Sequence, residues 1–150
     1  MYTNKLWLRL LLACTLLMLL LTAACGKESA IKNPAAEQAL TVQGDAFMTC
    51  LKDGDFQAVY GLMSIEAQKA LYKAKKMAGS WVSLDGVLNQ IGLEIAGWEF
   101  DKARVFTKNG VVRGTLDGRV EYADGKSGQV HLELEQQDGI WKIRSSSLTQ

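Results

Sequence analysis

Hydrophobic positions follow three successive regimes along the chain. Leu10 to Ala24 is an uncharged run rich in leucine. From Ala35 to about Gly92 apolar residues return every three or four positions, the period of helices with one buried face. Beyond Gly92 the period drops to two, which marks strands with one buried face.

In the helical regime Ala36, Ala39, Leu40, Gln43, Ala46, Phe47, Cys50 and Leu51 share a face, and Asp53-Gly54 stops the helix. Asp55 can cap a second, short helix that buries Phe56, Val59, Tyr60 and Met63. Ser64 can cap a third, with Ala67, Leu71, Ala74 and Met77 or Ala78 inward and Gly79 at its end. Its lysines, Lys69, Lys73, Lys75 and Lys76, read as a solvated face. A weaker helix spans Leu84 to Ile91.

Four strands follow, at about 94–107, 111–122, 127–137 and 140–148. Asn109-Gly110 and Asp138-Gly139 are two-residue hairpin signals, and Ala123-Asp124-Gly125 is a three-residue turn with Gly125 left-handed. The first turn sets Val105 against Gly114 and Ala103 against Leu116. The last sets Leu134 against Ile143 and Gln136 against Trp141, with Glu135 facing Lys142 and Glu133 facing Arg144 on the exposed side. Trp98 and Phe100 have even parity while Ala103 and Val105 have odd, so the strand must bulge near Asp101-Lys102 if all four point inward. Gly114 and Gly118, on the inward parity, leave room for curvature or for a closely approaching helix. The predicted class is α+β, with N-terminal helices packed on the concave face of a curved antiparallel sheet of four strands or slightly more.

The leading segment carries an address. Lys5 and Arg9 precede the leucine-rich run, and Thr22, Ala23 and Ala24 are small residues before Cys25, so 1–24 reads as a secretory signal peptide. The run is too short for a comfortable membrane span. Leu21-Thr22-Ala23-Ala24-Cys25 resembles the bacterial lipobox, with Thr22 where a large aliphatic residue is usual and Leu21 displaced by one. The resemblance implies that the Cys25 thiol takes a diacylglyceryl group and becomes the first residue of an acylated chain. Plain cleavage after Ala24 and an uncleaved anchor are the alternatives. Leu11-Leu12-Ala13-Cys14 fits the same letters but comes too early. The chain then divides into a signal at 1–24, a lipidated cysteine and polar tether at 25–34, and one domain at 35–150.

Charge and cysteine use narrow the function. The formal charge is +1 over 150 residues, and losing Lys5 and Arg9 brings it to −1, which argues against nucleic acid as a partner. With Cys14 in the signal and Cys25 as lipid attachment site, Cys50 has no partner for an internal disulfide and reads as a small buried hydrophobe. No metal-ligand spacing and no cofactor motif stands out.

Two segments carry a wider resemblance. Phe47-Met48-Thr49-Cys50-Leu51-Lys52-Asp53-Gly54-Asp55-Phe56 ends a helix on a Gly-Asp-Phe step, and Gln137-Asp138-Gly139-Ile140-Trp141-Lys142-Ile143 closes the strand block. Together they resemble the nuclear-transport-factor-like, cystatin-like (ketosteroid-isomerase-like) cone fold, which includes many bacterial lipoproteins. The resemblance covers about 35–148 and implies a cone with a pocket between helices and sheet, used in some members for catalysis and in others for ligand binding or dimerisation.

Within such a pocket Tyr60, Trp98, Phe100, Tyr122 and Trp141 are the expected lining for a small apolar ligand, and core packing by these residues and by Phe47 and Trp81 is the competing expectation. Asp101, at the suspected bulge, is the one weak catalytic candidate; as a structural group it would pair with Lys102 or Arg104. His131 is expected to face outward beside Glu133. The leading expectation is an envelope lipoprotein acting without catalysis, binding a small ligand or an envelope protein and attached to the membrane by its lipid. Gly26 after the cysteine favours an outer membrane, facing the periplasm, in a two-membrane organism. An isomerase- or dehydratase-type enzyme using Asp101 and a structural homodimer are the alternatives.

Overall fold

The computed structural model describes residues 28–78 and 94–149. The signal, Cys25, Trp81 and the expected helix at Leu84 to Ile91 lie outside the described residues. The elements run β1 (Ser29–Ile31), α1 (Pro34–Asp53), α2 (Phe56–Leu62), α3 (Ile65–Ala78), β2 (Ile95–Lys108), β3 (Val111–Tyr122), β4 (Ser127–Gln137) and β5 (Ile140–Leu148). Three helices pack against a curved, unclosed, antiparallel sheet of five strands in the order β1-β2-β3-β4-β5.

The helices begin and end where the side chains can satisfy free backbone groups. Asn33 Oδ1 accepts from the amides of Ala35 and Ala36 at 3.1 and 3.2 Å, and Pro34 fills the first helical position, where no amide proton is needed. Gly54, at φ 71°, ends α1 in the left-handed conformation. Asp55 Oδ1 accepts from the Ala58 amide at 3.0 Å, and Ser64 Oγ from the Ala67 amide at 3.2 Å. Ser64 is fully buried because its own amide donates to the Ile143 carbonyl at 2.7 Å, which pins the α2–α3 corner to β5.

The buried face of α1 is rotated from the expected one. Leu40, Gly44, Phe47 and Met48 are buried whereas Ala39 is exposed. Gly44 decides this: a Cβ there would collide with a Leu116 methyl and sit 3.1 Å from the Phe100 ring, so glycine lets the helix press onto β2 and β3. In α3, Ala67 and Leu71 are half-buried, but Ala74 is exposed, contrary to its expected inward position.

In the sheet, Asn109 and Gly110, and again Asp138 and Gly139, have positive φ at both turn positions, as tight hairpins require. Val105 lies opposite Gly114, Ala103 opposite Leu116, Leu134 opposite Ile143 and Gln136 opposite Trp141. The register shifts between Phe100 and Lys102, so Asp101 is the bulged residue, and Trp98, Phe100, Ala103 and Val105 all reach the core. The two inward glycines of β3 serve different ends. A Cβ on Gly114 would meet Leu40 of α1 at 2.6 Å, whereas one on Gly118 would strike the Glu99 carbonyl and the Phe100 backbone at the bulge.

Three further expectations need correction. The polar stretch at 25–34 is not all tether, because Ser29–Ile31 pairs with β2, Ser29 opposite Thr107 and Ile31 opposite Val105, and Ile31 packs on the core. Three residues are too few to display a period of two, so backbone pairing governs there. Glu133 lies opposite Ser145 because Arg144 is the extra residue of a bulge in β5, although Arg144 still reaches Glu133 at 3.1 Å. Glu135 is opposite Lys142 as expected, but it is buried rather than exposed: Gln137 and Arg144 cover it, and Lys142 turns away to the Gly61 carbonyl at 2.8 Å.

Candidate functional site

The concave side of the sheet is where a cone-type pocket would lie, and its aromatic residues split into two groups. Trp98 is level with Val120 and Gly128, whereas Trp141 is level with Gln136, eight residues further along β4. At about 3.3 Å per residue, that separates them by about 26 Å along the sheet. Phe100 and Tyr122 belong with Trp98; Trp141 sits near the hairpin turns, and the Tyr60 carbonyl there accepts from Gln68 at 2.9 Å. The five residues do not converge on one pocket.

Four of the five also contribute to the apolar interior. Tyr122 and Trp141 belong to the buried core around Phe47, Leu116 and Leu132, and Trp98 and Phe100 pack against it. The polar ends are used as well. The Trp98 indole donates to Asp45 Oδ1 at 2.9 Å, and the Tyr122 hydroxyl donates to the Thr149 carbonyl at 2.8 Å. Burial, helped by nearby Asp124, raises the Tyr122 pKa above its ordinary value. Cys50 packs on this core from α1, and burial, with Asp55 and Asp53 nearby, raises its thiol pKa.

The outer face of the sheet is charged. Asp101 is half-exposed there, 3.7 Å from Arg119, which also lies 3.5 Å from Glu99. The bulge turns Asp101 toward β3, so its partner is Arg119 rather than Lys102 or Arg104. Further along the same face, His131 Nδ1 contacts Asp117 Oδ1 at 2.6 Å, its Nε2 stands 3.9 Å from Glu133, and Glu133 continues to Arg144. Asp101 and His131 both lie on the side away from the helices.

A cleft of about 420 Å³ opens on this outer face, lined by Gly97, Trp98, Glu99, Arg119, Glu121 and Ser127. Its origin is in the register. Gly97 is opposite Glu121, and Glu121 is opposite Ser127, so two small residues flank a glutamate and leave a trough across three strands. Glu99, Asp101 and Glu121 outnumber Arg119, which favours a partner carrying a basic group. The trough was hidden in the sequence because its lining comes from three strands and depends on a register shift between Ile95 and Gly97.

Among the described residues no group of three or more His, Cys, Asp or Glu is placed to hold a metal, and no helix is long and apolar enough to cross a membrane. No known family, curated protein or solved structure matches the chain.

Proposed function

We propose that this chain is a lipid-anchored lipoprotein of the bacterial cell envelope, attached through Cys25, whose domain acts without catalysis as a protein-interaction module. Its interaction surface is the outer face of the sheet. The observation that carries this is the contrast between the two faces: concave aromatics are committed to the core, while the outer trough around Arg119 and Glu121 is open to a partner. The cone-fold resemblance belongs to the same proposal, supported by the order of three helices followed by an antiparallel meander.

Two experiments test it. Metabolic labelling with a fatty acid should mark the wild-type chain and fail in Cys25→Ser; labelling that persists removes the anchor. A photo-crosslinking residue placed at Ser127 in cells should yield a discrete adduct that Glu99→Lys/Glu121→Lys abolishes. Absence of any adduct, or native mass spectrometry showing an apolar molecule retained in the core, overturns the outer-face assignment.

A further inference from the structure

Among the described residues, helix α3 carries a side on which nothing packs. Ala67, Gln68 and Leu71 are half-buried, and Gln68 ties the helix to α2 by donating to the Tyr60 carbonyl. On the opposite side, Ile65, Lys69, Tyr72 and Lys76 follow one another at spacings of four, three and four, with Lys73 beside them. Ile65 and Tyr72 are 54% and 67% exposed, which sets this stripe apart from an ordinary solvated lysine face. The acid of the first turn, Glu66, accepts from Gln137 at 3.4 Å and so is directed toward β4. The stripe therefore combines lysines, an aliphatic side chain and a tyrosine, with Glu66 the one acid at its margin, a composition suited to the boundary between lipid headgroups and acyl chains.

The chain's own geometry names the occupant. β1 is antiparallel to β2 and begins at Ser29, opposite Thr107, so the preceding residues leave beside the Asn109-Gly110 turn. The Asp138-Gly139 turn is at the same end, and α3 starts there too, because Ser64 bonds Ile143 and Glu66 meets Gln137. Only Gly26, Lys27 and Glu28 separate Cys25 from Ser29, an extended reach of about 14 Å at most. Such a leash lets the domain tilt but not leave the surface.

We infer that the exposed stripe of α3, formed by Ile65, Lys69, Tyr72 and Lys76, rests on an anionic lipid surface at the same end of the sheet as the anchor, across the sheet from it. The inference rests on the Cys25 attachment. It also orients the molecule, since a sheet face turned away from lipid is open to a partner.

The test uses the full acylated protein in vesicles, after mass spectrometry has established the acyl group on Cys25; an unmodified Cys25 sinks the anchor reading itself. Deuterium uptake across residues 65–76 is then compared on phosphatidylcholine vesicles with and without phosphatidylglycerol. Uptake should slow several-fold on the anionic vesicles, and the slowing should vanish in high salt and in Lys69→Glu/Lys73→Glu. The same charge change at Lys52→Glu/Lys126→Glu, at the end of the sheet away from the Asp138-Gly139 turn, should leave it intact. Equal uptake on both vesicles from an acylated chain overturns the inference. So does protection that needs no vesicles and grows with protein concentration, which would give the stripe to a second copy.

Discussion

Gly118 and Gly44 show how two glycines in contact with the same strand pair differ in what they tolerate. The atoms facing a Cβ on Gly118 are backbone at the β2 bulge and cannot rotate away, whereas those facing Gly44 are the ends of Leu116 and Phe100. Gly118→Ala should therefore cost about 1–3 kcal/mol or more. Gly44→Ala should cost less, because the ~1 kcal/mol gain in helix propensity offsets part of the crowding. Denaturant melts of the two variants check the order, and a smaller loss for Gly118→Ala would mean that the bulge can relax. Cys50 gives a kinetic counterpart. Burial and the carboxylates of Asp55 and Asp53 hold its thiol protonated, so at pH 8 alkylation of the folded domain should run slower than that of free glutathione. The group's raised pKa contributes stability that is present below the unfolded value and lost as pH rises through the folded one. Alkylation as fast as glutathione's would show an accessible thiolate.

Among the elements, the last hairpin carries the sharpest contrast. Trp141 is 5% exposed and Trp141→Ala should cost about 3–5 kcal/mol. Glu135, across the same strand pair, is 8% exposed. A lysine placed there would face Arg144 and lose the bond from Gln137, so Glu135→Lys should cost about 2–3 kcal/mol rather than the few tenths typical of a surface position. Thermal melts of both variants measure this, and a negligible effect from Glu135→Lys would place its side chain in solvent. The pairing of residues in this hairpin was legible in the sequence because Asp138-Gly139 admits few turn geometries and one turn fixes the register for several residues on each side. The burial of Glu135 was not, since it depends on the β5 bulge, which draws Arg144 over it, and no alternation of apolar residues reports a bulge among polar ones. The same holds for the outer trough and for the buried Gly44, both products of how elements approach one another. The strand aromatics Trp98, Phe100, Tyr122 and Trp141 lie on the inward parity, but parity says nothing about position along the strand, which separates Trp98 from Trp141.

For the molecule as a whole, one continuous core extends from Phe47 and Met48 of α1 through Leu116 and Leu132 to Trp141 and Ile143, and Ile31 of β1 packs against it. Fluorescence and far-ultraviolet dichroism should then report a single coincident unfolding transition, with separate transitions counting against one cooperative unit. The shortness of β1 has a mechanical meaning. With Cys25 held in lipid and the domain drawn away by a partner, the load enters at Ser29 and runs along β1, across its three residue pairs with β2. Those pairs are the first contacts in the line of force. Once they part, the span between Cys25 and Pro34 grows to about 30 Å of extended chain, while Pro34 and the Asn33 cap keep α1 wound. With the proposed anchor in place, β1 would work as a clasp on the leash, storing slack close to the surface and releasing it under tension with only Ile31 drawn off the core.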